Sequence, residues 1–272
     1  MTEIRSKDDY EEPECLLNMH PEITPIPVGR MIEKLDSYLN KKDYDAAERH
    51  LRYWLTEADA GHDRRGKLAV LNEQIGLYRK TEKEKECLTA ISTALSLAES
   101  MDMNESVTYG TTLINAATGY KAFGKAEDAL PLYRKAQMIY EKALDPDDGR
   151  LGGLYNNMAL TLTELKEFSE AEELYQKAIK VMEKQENGEL EIAITYLNIA
   201  DLIAARDGLE NGEKEIEKQL IKAEKLLNTD GLPKDGYYAF VCKKCAPVFG
   251  YYGYFLTEQE LNRRAREIHE RA

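Results

Sequence analysis

The chain has 272 residues, 43% hydrophobic and 32% charged, the balance of a foldable, very soluble protein and not of a disordered one. A formal net charge of −13 argues against a nucleic acid partner, because phosphate contact depends on clustered Lys and Arg. No apolar run approaches a membrane span and the opening residues MTEIRSKDDYEEPE are too polar for a signal peptide, so a cytoplasmic location is expected.

Residues 1–27 are predicted to run extended. The stretch from Glu12 to Gly29 holds too many prolines for a helix and too many apolar residues for a solvated tail. Two readings are open: a strap over the first helices, or a built-in ligand in which Cys15 to Ile26 lies in a groove, the chain's own or a neighbour's, and blocks it. From about Val28 the pattern turns helical, and six helical hairpins are predicted at about 28–60, 65–101, 106–144, 149–185, 189–228 and 234–272.

The first hairpin pairs Leu35 and Tyr38 with Ala47, Leu51 and Trp54; the second places Asn72 on its first helix and Cys87, Ile91 and Ala94 on its second. The third and fourth repeat one another at a shift of 42 residues: Gly110 falls on Gly152, Asn115 on Asn157, Ala117 on Ala159, Ala129 on Ala171, Tyr133 on Tyr175 and Ala136 on Ala178. In the fourth, Ala171, Leu174, Tyr175, Ala178 and Met182 form a buried stripe, and Ser169 with Glu172 is read as a capping box that starts its second helix. The fifth opens on Asn198 and Ala200 and has a turn lengthened around Gly208 and Gly212; the sixth carries a second capping-box pair, Thr257 and Glu260. One hairpin cannot bury its stripe alone, so the units must stack.

Ala159, Ala171, Tyr175 and Ala178, like Ala117, Ala129, Tyr133 and Ala136, resemble the tetratricopeptide repeat. The usual repeat is about 34 residues. The longer period here resembles the kinesin-light-chain subtype, as does the connector from Lys142 to Gly149 followed by LeuTyrAsnAsnMetAla. The resemblance implies an all-α fold, a right-handed superhelical α-solenoid of about six antiparallel hairpins over residues 28–272, whose first helices line a concave face.

Asn72, Asn115, Asn157 and Asn198 recur on first helices at spacings of 43, 42 and 41. An amide offers both a donor and an acceptor and so matches a peptide unit whatever its side chain. The resemblance implies that such a row holds the backbone of an extended peptide; the same amides could instead bond neighbouring turns and stiffen the stack. Ile114, Thr118, Lys121, Asn156, Leu160, Leu197 and Asp201 are expected to line the groove beside them. Few cations stand among these positions, which disfavours the family's carboxylate clamp and favours an apolar extended ligand.

Other chemistry is weak in the sequence. Cys242 and Cys245 form a CxxC with no second pair for zinc and sit in a helical pattern, so buried structural thiols are expected. The aspartates from Asp145 to Asp148 do not complete a calcium loop, and the four histidines show no metal spacing. No metal, cofactor or catalytic constellation is expected, and an enzyme is not indicated. The expected function is a non-enzymatic scaffold holding a protein or peptide partner, the N-terminal segment being one candidate occupant. A peptide-sensing regulator and a structural subunit of a complex are the alternatives.

Overall fold

The computed structural model describes residues 22–271. Among them are twelve α-helices and no strands: α1 (Val28–Asn40), α2 (Tyr44–Ala60), α3 (Arg64–Lys80), α4 (Glu84–Glu99), α5 (Val107–Ala122), α6 (Ala126–Ala143), α7 (Gly149–Glu164), α8 (Phe168–Met182), α9 (Glu189–Asp207), α10 (Leu209–Leu227), α11 (Gly236–Tyr251) and α12 (Phe255–Arg271). The chain divides into two units, Met1–Leu77 and Tyr78–Ala272, with the boundary inside α3.

The described part of the first unit holds α1, α2 and most of α3 around a core of Met31, Leu35, Ala47, Leu51, Ala58, Val70 and Leu77, with Tyr38 and Trp54 packed against it. Residues 22–27 have no regular structure yet are tied down. The Thr24 N–H donates to the Gly61 carbonyl at 2.9 Å, and the Ile26 N–H donates to Asp63 Oδ2 at 2.9 Å. Ile26 is buried in the same core. Asp63 also accepts the Gly66 N–H at 2.9 Å, which makes it the N-cap of α3. Most of the segment read as strap or built-in ligand, including Cys15, lies outside the described residues.

In the second unit consecutive helices pair as α5 with α6, α7 with α8, α9 with α10, and α11 with α12. The pairs stack through α4 on α5, α6 on α7 and α8 on α9, and the first helices α5, α7, α9 and α11 also touch in succession. The repeated small residues explain the close approach within a pair. Ala117, Ala129 and Ala136 are fully buried, as are Ala159, Ala171 and Ala178, with Tyr133 and Tyr175 filling the space between them.

The 42-residue period is also written in the backbone. Glu82, Gly124, Lys166 and Gly208 take left-handed conformations with φ of 58°, 70°, 65° and 80°, each 42 residues from the last. At the first three turns the next N–H reaches back to close the preceding helix, Lys83 to Tyr78 O, Lys125 to Tyr120 O and Glu167 to Leu162 O. This is the Schellman closure, which satisfies carbonyls at the end of one helix and aims the chain into the next.

Three local expectations are corrected. α8 begins at Phe168 with Glu167 as N-cap and no side-chain cap bond, so Ser169 and Glu172 make no capping box. The Schellman turn starts the helix before Ser169 can cap it. α12 begins at Phe255, and the Thr257 hydroxyl donates to Glu224 Oε1 at 2.7 Å, binding the last hairpin to α10 instead of capping a helix. The α9–α10 turn is not lengthened. Gly208 alone breaks the chain, and Gly212 lies buried inside α10, where a Cβ would stand 2.9 Å from Ile203 Cγ2.

Candidate functional site

The first helices of the second unit form one layer, and most of the predicted site residues lie on it. On α5, Ile114, Asn115, Thr118 and Lys121 are half-buried. Lys121 Nζ stands 4.0 Å from Glu164 Oε2 on α7, a link between successive first helices. The Thr118 hydroxyl donates to Ile114 O at 2.8 Å and lies 2.9 Å from the Tyr133 hydroxyl, which donates to it. Asn72 belongs to the first unit, where its Nδ2 donates to Leu68 O one turn back at 3.0 Å.

On α7 the two adjacent asparagines divide their work. Asn156 is 9% exposed and its Oδ1 accepts a hydrogen bond from Asn198 Nδ2 of α9 at 3.0 Å. Thr195 Oγ1 stands 3.3 Å from the same oxygen while donating to Glu191 O at 2.9 Å. Asn157 is half-buried beside it, and among the described residues its side-chain amide has no hydrogen-bond partner. Asparagine lowers helix stability by competing for backbone bonds, so both positions cost the helix something. For Asn156 the compensation is the bond to α9. Leu160, one turn further along α7, is half-buried.

On α9, Leu197 is 2% exposed and is spent in the core. Asn198 is half-buried and Asp201 is exposed. Asp201 accepts the Tyr252 hydroxyl proton at 2.8 Å. Its carboxyl is raised above the usual range by desolvation, which the Tyr252 bond opposes. The Tyr237 hydroxyl of α11 likewise donates to Glu191 of α9. The repeat pattern of the sequence does not signal either contact, because α11 departs from the 42-residue register that aligns the other first helices.

One polar group is stranded under this layer. Tyr175 is fully buried and its hydroxyl has no hydrogen-bond partner among the described residues. Burial pushes that hydroxyl well above its ordinary range; Thr163 stands beside it but donates to Ala159 O at 2.8 Å. The 42-residue repeat explains the defect. Thr118 bonds Tyr133, and the residue 42 places after Thr118 is Leu160. Tyr133→Phe is therefore expected to cost about 1 kcal/mol, whereas Tyr175→Phe costs nothing or stabilises slightly. Paired thermal melts read the difference, and equal losses would contradict it.

Cys242 and Cys245 are buried in α11, and burial pushes both thiols up, Cys245 to about 12. Both stay protonated and poorly reactive at neutral pH. Among the described residues no three His, Cys, Asp or Glu side chains gather as a metal site.

A family model described as tetratricopeptide repeat matches residues 108–184, which span α5 to α8. That segment carries tetratricopeptide repeats. No curated protein matches the sequence. Among solved structures, nearly identical TPR-like repeats assigned to a Podosopora anserina kinesin light chain superpose with a TM-score of 0.54 at 15% identity, covering 75% of this chain and 96% of that one. The apo form of RapI gives 0.59 at 14% identity, covering 90% and 98%. NprR, solved in complex with its cognate peptide NprX, gives 0.50 at 15% identity, covering 88% of this chain and 66% of its own. These likenesses agree with the stacked helical hairpins and the 42-residue period of the second unit, a tetratricopeptide-like helical repeat fold. Among the described residues no helix is long and apolar enough to cross a membrane.

Proposed function

We propose that residues 28–272 form a non-enzymatic, cytoplasmic protein-binding domain that holds an extended peptide segment along the first-helix layer of the second unit. The observation that carries this reading is Asn157. Its amide is half-buried in the middle of that layer and has no hydrogen-bond partner among the described residues, whereas the amide oxygen of its neighbour Asn156 is engaged by Asn198 of α9. A helix interior bears the cost of such a residue more readily if a partner's backbone supplies the missing donor and acceptor. Ile114, Thr118 and Leu160 offer apolar and small surface beside it, and Asn115 and Lys121 extend the row along α5. Leu197, being in the core, supports the wall and is not a contact. Asn156 and Asn198 act as positioning residues, because their bond fixes the spacing of α7 and α9. NprR, whose structure holds a peptide, shares the fold, which lends the reading support by analogy.

The test compares affinity capture from the native cell extract by the wild-type protein and by Asn157→Ala at matched helicity and melting temperature. A partner held by wild type and lost by the variant, then reproduced with a synthetic peptide from that partner, is the expected result. Equal capture by both would remove the first-helix layer from the binding surface.

A further inference from the structure

A second surface uses none of the residues of the Asn157 row. The outer face of α10 and the α11–α12 turn enclose an open groove lined by Leu209, Glu213, Ile216, Glu217, Tyr251 and Tyr254. Ile216 and Leu220 form its apolar floor, 4% and 1% exposed, while Leu209 and Tyr251 stand 52% and 70% exposed at its edge. Tyr251 and Tyr252 meet edge to face with ring centroids 5.0 Å apart, which props Tyr251 outward.

The charge of this groove is of one sign. Glu210, Glu213 and Glu217 fall on one side of α10 and all line it. None of the three forms an ion pair among the described residues; the pair on that helix joins Lys218 to Glu215. Like charges at helical spacing repel one another, so a cation brought between them relieves a cost already present in the free protein. Exposed tyrosine faces add attraction for ammonium and guanidinium groups.

We propose that this groove docks a Lys- and Arg-rich amphipathic segment of a protein partner. Its apolar side would rest on Leu209, Tyr251 and the Ile216–Leu220 floor, and its cations would lie among Glu210, Glu213 and Glu217. The net charge of −13 steers such a segment toward the molecule, and the groove gives it a place and an orientation. The groove shares no lining residue with the Asn157 row on α5 and α7, so either can fail without the other.

The probe is a labelled helical peptide of Lys and Leu at amphipathic spacing, followed by fluorescence anisotropy on the full chain. Binding to the wild type is expected to weaken at least about tenfold in the Glu210→Gln, Glu213→Gln, Glu217→Gln triple variant and about fivefold in Tyr251→Ala. The control triple Glu127→Gln, Glu173→Gln, Glu186→Gln carries the same net charge on exposed positions elsewhere and is expected to stay within about twofold. All these changes lie on the surface, and circular dichroism melts check that each variant is folded. Equal weakening by the two triples would reduce the effect to general charge attraction and overturn the proposal, as would no binding by the wild type at low salt.

Discussion

Asp63→Ala is expected to destabilise the first unit by about 3 kcal/mol, because two backbone donors lose their only strong acceptor at once. The carboxylate is 7% exposed, and its two oxygens take the N–H groups of Ile26 and Gly66 at 2.9 Å each. A buried donor left without a partner costs about 1–3 kcal/mol, and loss of an N-cap adds about 1 kcal/mol to the fraying of α3. Ile26 then loses its hold on the core beside Met31 and Leu35. Gly66 leaves no spare room for repair, since a Cβ there would stand 2.1 Å from Asp63 Oδ2 and 2.6 Å from Ile26 Cγ1. Asp63→Asn keeps one acceptor and is expected to lose about half as much. Denaturant unfolding measures the cost, and amide exchange at Thr24 and Ile26 locates it. A change below about 0.5 kcal/mol with both amides still protected would contradict the assignment.

The second large effect tests how far equivalent repeat positions are equivalent. Gly110 and Gly152 are 42 residues apart and both are buried in first helices. A Cβ at Gly110 would stand 2.6 and 2.8 Å from two ring carbons of Tyr140, which is 2% exposed with its hydroxyl 2.7 Å from Thr111 Oγ1. A rigid, buried, hydrogen-bonded ring cannot yield cheaply. Gly110→Ala is therefore expected to lose about 2 kcal/mol, even after the gain from alanine's better helix propensity. At Gly152 the nearest atom is Met182 Cε at 2.4 Å, the movable tip of a flexible thioether that is buried but 8% exposed. Gly152→Ala is expected to be neutral or to stabilise by up to about 1 kcal/mol. Melting temperatures should move in opposite directions, or one should fall while the other holds. Equal falls would contradict the packing described for Tyr140.

Much of the fold could be read before any coordinates, for a physical reason. Ala117, Ala129, Tyr133 and Ala136 recur as Ala159, Ala171, Tyr175 and Ala178 because the same helix crossing is built twice, and each crossing accepts only those sizes. Ser169 and Thr257 look like helix starts in the sequence, but a residue able to cap does so only where the backbone turn lets it, and left-handed Lys166 and Gly253 turn the chain before either is reached. Gly212 read as part of a loop because a glycine in a chain pattern does not reveal whether it turns the backbone or makes room for Ile203. The asparagines were harder still. Asn156 and Asn157 are neighbours of one type, and only the rotation of α7 against α9 decides that the first binds Asn198 while the second keeps its amide unbonded. Tyr252 reaching Asp201 joins groups 51 residues apart across a hairpin of irregular length, which no periodic pattern signals.

The central claim is that a partner's chain lies extended on the first-helix layer. The most direct measurement places a photocrosslinking amino acid at Leu160, on α7 beside Asn157, and in a second protein at Glu173, exposed on α8. After irradiation in the native extract, adducts are digested and the captured segment is read by mass spectrometry. We expect one short linear stretch of a single partner on Leu160, absent when Asn157 is alanine and absent from Glu173. Adducts of equal yield at both positions, or capture at Leu160 that survives Asn157→Ala, would contradict the claim and leave the asparagines as devices that hold the stack together.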